Sequence, residues 1–203
     1  GIELEDGTSK VGNTVTFDLG ALYFPGDFSI GNSTVRPTVG MSISNFGGKV
    51  EYSSSGYKNP LPTTLRLGAA AKISLDPDGI NILTPSIEFS KMLVHVDSTG
   101  SDGSFQALFS SWGSYEYFNG SETVSVGLGK QIMYGTGIEY WYANLIALRG
   151  GYYNEAEANG GRKFVTFGGS IRYQPIEINA SYALQQGQGS GGNIFRLGLL
   201  FNL

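Results

Sequence analysis

Phe195-Arg196-Leu197-Gly198-Leu199-Leu200-Phe201-Asn202-Leu203 ends the chain, and it alternates. Phe195, Leu197, Leu199, Phe201 and Leu203 fall on one face, with Arg196, Gly198 and Asn202 opposite and Leu200 the one apolar intruder. Side chains of extended backbone point to opposite faces in turn, so the pattern is a strand with one apolar face. Two preceding runs repeat it. Ile176, Ile178, Ala180, Tyr182 and Leu184 oppose Glu177, Asn179, Ser181 and Gln185. Before them, Val165, Phe167, Ile171 and Tyr173 oppose Thr166, Ser170 and Arg172.

The same period predicts strands near 14–23, 37–45, 63–74, 80–91, 132–142 and 145–154, nine in all. Tight connections carry turn chemistry: Asp76-Pro77-Asp78-Gly79, Tyr142-Ala143-Asn144 and Gln174-Pro175. They alternate with long ones at 46–62, 92–131, 155–162 and 185–192. Short turns on one side and long loops on the other is the asymmetry of an outer-membrane barrel.

Composition points the same way. Gly supplies 31 of 203 residues, about twice the usual share of roughly 7%. Charged residues make up 15%, against roughly 25% in ordinary domains. The net charge of −4, with no run of Lys or Arg, argues against a nucleic-acid partner. The absence of Cys excludes disulfides, thiolate metal sites and a Cys nucleophile. The start at Gly1-Ile2-Glu3 is not a signal peptide, so either a leader was removed or the chain is part of a longer one.

Charges at Asp18, Arg66, Lys72, Glu88, Glu139, Arg149, Arg172, Glu177 and Arg196 all fall on the weaker strand faces. In a barrel they line the lumen, where opposite charges pair across strands. A solute path is the alternative use. Runs near ten residues suit a tilted crossing of the hydrocarbon, longer than the five or six common in soluble sheets. Tyr23, Tyr140, Trp141, Tyr142, Tyr152 and Tyr153 cluster at strand ends, as aromatic girdles do. The expected fold is all-β: an antiparallel transmembrane outer-membrane β-barrel of about nine strands. One short helix sits in a long extracellular loop.

That helix is written in Phe105, Leu108, Phe109 and Trp112, spaced i, i+3, i+4, i+7. Its apolar face either packs on the barrel rim or meets a partner. His95 beside Asp97, with Ser98, Ser101 or Ser104 in reach along the loop, is a weak case for nucleophilic catalysis. Gly127-x-Gly129-Lys130 and Gly135-x-Gly137 lack the spacing of a phosphate loop. Asp76, Asp78 and Glu88 lack metal-loop spacing. The reading is of a non-enzyme with no catalytic residue, metal or cofactor.

The terminal Arg196-x-Gly198-x-x-Phe201-x-Leu203 resembles the C-terminal signal read by the outer-membrane barrel assembly machinery. Two further stretches carry a family resemblance. One is Gly137-Ile138-Glu139-Tyr140-Trp141-Tyr142 with Ala147-Leu148-Arg149-Gly150-Gly151-Tyr152. The other is Leu61-Pro62-Thr63-Thr64-Leu65-Arg66-Leu67-Gly68 after Ser44-Asn45-Phe46-Gly47-Gly48-Lys49-Val50. Together they resemble the PorV family of type IX secretion, related to the FadL-type fatty-acid transporters.

The resemblance implies that 1–203 is one transmembrane barrel domain, the C-terminal part of a fourteen-stranded FadL-like barrel lacking its N-terminal strands. It implies an outer-membrane protein of Bacteroidota, with long loops extracellular and tight turns periplasmic. It also implies partners: an SprA-type translocon, the C-terminal domains of secreted cargo that is shuttled to a surface attachment complex, and outer-membrane lipids. Loop aromatics Phe46, Tyr52, Tyr57, Phe105, Phe109, Trp112, Tyr115, Tyr117 and Phe118, with the aliphatic Leu108 beside them, are the candidate contacts, since aromatics dominate protein–protein anchors. The alternative is a transporter of fatty acids or other hydrophobic solutes, which needs a continuous apolar path through the lumen.

Overall fold

The computed structural model describes residues 2–3, 9–10, 13–51, 58–97, 100–118, 120–186 and 192–201. Ten strands form one antiparallel meander. They are β1 (Thr16–Tyr23), β2 (Phe28–Ile30), β3 (Ser33–Gly47), β4 (Thr64–Ser74), β5 (Asn81–Met92), β6 (Ile132–Tyr142), β7 (Ile146–Asn154), β8 (Lys163–Tyr173), β9 (Ile176–Gln186) and β10 (Ile194–Phe201). Their order is β10-β9-β8-β7-β6-β5-β4-β3-β1, with β2 also on β3. The nine expected strands are all present. The tenth, β2, is a short hairpin partner that pairs Phe28 with Val35 through a turn at Gly31. The sheet is not closed: among the described residues no pairing joins β10 to β1.

The chain divides into two compact units. One comprises residues 22–40, 67–89 and 130–203 and holds the tight turns and the long C-terminal hairpins. Register there runs without a break, for example Lys163↔Gln186 to Tyr173↔Ile176 between β8 and β9. Ala143 and Asn144 both take positive φ, 49° and 56°, the mirror-image turn whose twist suits a two-residue hairpin. The Asp76 carboxylate accepts the backbone N–H of Ile80 at 2.8 Å and of Asn81 at 2.7 Å. The bond from Ile80 holds that carboxyl below the usual range; desolvation opposes it, and the bonds from Asn81 and Gly79 reinforce it.

Glycine on the charged face lets strands and side chains crowd together. A Cβ on Gly151 would lie 2.8 Å from Thr166 Oγ1 and 3.0 Å from the Thr136 carbonyl oxygen. The apolar face, by contrast, is bare: Leu148, Phe167, Ile171, Phe195, Leu197 and Phe201 are each more than half exposed. Such a face in water would be an aggregation surface; a barrel wall presents it to hydrocarbon.

The other unit comprises residues 1–21, 41–66 and 90–129. Short hairpins pair Lys49–Glu51 with Lys58–Pro60, Val96–Asp97 with Gly100–Ser101, and Tyr115–Phe118 with Thr123–Val126. A helix, α1 (Ser104–Ser110), lies between the last two hairpins. No helix among the described residues is long and apolar enough to cross a membrane, a test that does not bear on strands.

Candidate functional site

Most of the charged residues read from the sequence meet partners on one sheet face. In the unit of 22–40, 67–89 and 130–203, register sets Glu139 opposite Arg149 and Arg172 opposite Glu177. Arg149 Nε donates to Glu139 Oε2, and its Nη1 donates to Ser170 and, at 3.1 Å, to Asn179. Arg172 Nη2 approaches Glu177 Oε2 at 2.7 Å, and Nη1 donates to Asn144. Both guanidinium groups lie over the Trp141 ring, at 5.7 and 4.2 Å from its centroid. This is an ion-pair network closed around an indole, and cation–π attraction adds to it.

Trp141 therefore departs from the expected girdle. It is 8% exposed, on the charged face, while Tyr142 and Tyr23 are exposed as expected. Parity decides this: Trp141 is two residues from Glu139 and shares its face, whereas Tyr140 and Tyr142 alternate with it. Arg149 and Glu139 also line a cavity of about 700 Å³, with Gly68, Ser86, Gly137 and Gly151. Gly137 is a packing residue there, since a Cβ would lie 3.2 Å from Ser86 Oγ. Lys72 and Arg196 are exposed and stand apart from the network.

In the unit of 1–21, 41–66 and 90–129, Asp18 accepts the Asn45 backbone N–H at 2.8 Å, and Arg66 donates to Ser44 at 3.0 Å. The expected helix is present as α1, and of the two uses read for its apolar face the structure shows Phe105 and Phe109 turned outward, not packed down. Ser104, Ala107 and Ser111 are buried; Phe105 and Phe109 are 71% and 73% exposed, stacked edge to face at 5.9 Å. Hydrogen bonds explain this facing. Ser104 Oγ donates to the Gly47 carbonyl at 2.7 Å and accepts from the fully buried Thr63 hydroxyl at 3.2 Å. The small polar face is held down by these bonds, which leaves the aromatic face uncovered.

Leu108, Phe46 and Tyr117 are half-buried, and Trp112, Tyr115 and Phe118 exposed. Tyr52, Tyr57 and Leu203 lie outside the described residues, as do 187–191 of the last long loop. The signal residues Arg196, Gly198 and Phe201 lie on the edge strand β10, Gly198 opposite Asn179 and Phe201 opposite Ile176.

His95 pairs with Asp102 rather than Asp97: Nδ1 is 3.0 Å from Asp102 Oδ2, and Ser110 Oγ donates to the same oxygen at 2.5 Å. The carboxylate stands between imidazole and hydroxyl, whereas a nucleophilic triad needs the imidazole in the middle. Ser101 is turned to the Lys58 carbonyl and Ser104 to Gly47; Ser98 lies outside the described residues.

The sequence reading passed over Lys91. It is on β5, four and two residues from Ile87 and Phe89, and so on the apolar face. It is 4% exposed, with Nζ 5.5 Å from the centroid of Trp112. A cation four residues past Ile87 and two past Phe89 was visible in the sequence; its cover by a side chain twenty-one positions on was not.

Residues 2–99 match the family model of the type IX secretion system protein PorV. The PorV match spans β1 to β5 and the first residues of the loop that follows, including Leu61–Gly68 and Ser44–Val50, quoted above. It supports a type IX secretion role and fits an outer-membrane setting for the exposed apolar face. PorV is a secretion-system family, not a known enzyme family. No curated protein matches the chain.

Proposed function

We propose that this chain is an integral outer-membrane component of type IX secretion whose loops hold the translocon and the C-terminal domain of secreted cargo, handing cargo on for surface attachment. The PorV match over 2–99 carries the reading. A bare apolar sheet face opposite an ion-paired one supports it, because that division is what a membrane-embedded barrel wall needs. In this arrangement the tight turns face the periplasm and the loops 46–62, 92–131, 155–162 and 185–192 face outward. Docking is the mechanism: a rigid sheet anchors loops whose aromatics supply contact area.

A second reading, transport of fatty acids or other hydrophobic solutes, is favoured by one observation, the cavity of about 700 Å³. That size suits a small ligand. Against it, the Arg149 charge is already paired with Glu139, so a carboxylate ligand there would sit beside a second carboxylate.

The test is affinity capture from detergent-solubilised outer membrane with a tag inserted in 187–191, followed by mass spectrometry. Recovery of a very large translocon subunit, or of secreted proteins sharing a C-terminal domain, is the expected result. A barrel recovered alone with bound fatty acid overturns the secretion reading and favours the transporter.

A further inference from the structure

The outward aromatic face of α1 has an occupant other than a protein. We propose that α1 is a membrane-interface helix: Phe105 and Phe109 enter the acyl region of surrounding lipid, and the exposed Trp112 marks the headgroup level. The inference rests on the outer-membrane reading above and adds to it a lipid-binding element within the long loop.

Four observations on one unit support it. First, α1 is fastened at the ends of the strands: Ser104 bonds Gly47 and Thr63, and Trp112 lies over Lys91 near the end of β5. Second, the apolar side of the strands is already bare in the same unit: Phe17 and Leu19 on β1 and Met41 on β3 are 62%, 66% and 55% exposed. Third, α1 carries no charge from Ser104 to Ser110, and the nearby Asp102 side chain is turned to His95 and Ser110. A helix in water exposes charge on its outer face; one lying in lipid does not.

Fourth, the indole at the end of the helix is of the interfacial kind. Trp112 Nε1 donates to the Leu108 carbonyl at 2.7 Å, so its polar edge is satisfied inside the helix while its ring remains 43% exposed. Indole rings settle at the headgroup level; Lys91 beneath this one is buried, its ammonium donating to the Met92 carbonyl at 3.2 Å, so the exposed ring is the interfacial group. Contact with protein partners then falls to the Tyr115–Phe118 and Thr123–Val126 hairpin.

Because the chain has no cysteine, single sites can be spin-labelled cleanly. Four variants of the full chain, Phe109→Cys, Phe105→Cys, Leu197→Cys and Glu157→Cys, are labelled and reconstituted in phosphatidylcholine–phosphatidylglycerol vesicles. Collision rates with oxygen, which concentrates in lipid, are compared with those of a water-soluble nickel chelate. At Phe105 and Phe109 oxygen collisions should exceed nickel collisions several-fold, as at Leu197, with the order reversed at Glu157. Labels at Phe105 and Phe109 that behave like Glu157, or that are shielded from both reagents, overturn the inference while Leu197 still reads lipid. If Leu197 also reads water, the membrane reading fails and α1's role fails with it.

Discussion

Replacing Phe167 with Arg separates a wall facing hydrocarbon from one facing water. Phe167 is the fifth of eleven residues in β8, paired with Gly150 on β7 and Tyr182 on β9, and it is 55% exposed. A strand of that length rises about 36 Å, enough to cross an apolar band of about 25 Å at barrel tilt, so Phe167 sits near mid-depth. An arginine there, facing lipid, costs about 2–4 kcal/mol. Facing water, the same substitution changes stability by no more than about 0.5 kcal/mol. Phe167→Ala gives an independent measure. Full removal of Phe from water is worth about 1.5–3 kcal/mol. In lipid the whole amount is lost on truncation, whereas in water the exposed portion never contributed and the loss is nearer half. The assay is urea unfolding of protein folded into phosphatidylcholine vesicles, followed by far-ultraviolet circular dichroism, with Glu157→Arg as the water-facing comparison. A Phe167→Arg midpoint indistinguishable from that of Glu157→Arg would refute the lipid-facing assignment.

Other positions yield sharp expectations. Gly47→Ala should cost about 1–3 kcal/mol, because its Cβ would lie 2.2 Å from the Val15 carbonyl oxygen and 2.8 Å from Thr16 Cα, both backbone. Gly20→Ala, with nothing nearer than 3.6 Å, should be tolerated, and comparing the two unfolding midpoints checks the packing argument. Arg172→Met leaves Glu177 without its guanidinium and should destabilise by about 3 kcal/mol, with partial recovery in Arg172→Met/Glu177→Gln. A double mutant no better than the single would show that the loss is packing against Trp141 instead.

The Glu155 carboxylate is fully buried and accepts from Arg162 Nε at 2.8 Å, Arg162 Nη2 at 2.9 Å and Tyr153 Oη at 2.9 Å. Burial pushes its pKa up, but the bonds from Arg162 and Tyr153 outweigh it and hold the carboxyl below its ordinary value of 4.5. A lowered folded-state pKa means the stabilisation is complete above that ordinary value and is lost as pH falls through the folded one. Amide-exchange protection in 155–162, taken relative to the intrinsic rate at each pH, should therefore fall in acid, and Glu155→Gln should abolish that dependence. Its loop should also open more readily at neutral pH, by about 1–2 kcal/mol, given that Arg162 is half-exposed.

Strand period, turn chemistry and the sorting of charge to one face are local properties, and they are legible residue by residue. Asp76-Pro77-Asp78-Gly79 and Tyr142-Ala143-Asn144 announce tight turns because their conformations follow from their own side chains and backbones. The facing of α1 is different. Its apolar spacing is plain, yet nothing local says that Ser104 will bond to Gly47 and Thr63, fifty-seven and forty-one positions away. His95 likewise finds Asp102 through the hairpin at Val96–Ser101, not its neighbour Asp97.

By itself, then, the sequence determined an all-β meander with one apolar and one charged face, because alternation and turn propensity act within a few residues. Only the tertiary structure decided that Trp141 is clasped by two arginines, that Lys91 lies under Trp112, and that the aromatic face of α1 is left bare. Each of these depends on which strand ends and loops come together, a matter of register and long-range hydrogen bonding that no local period encodes.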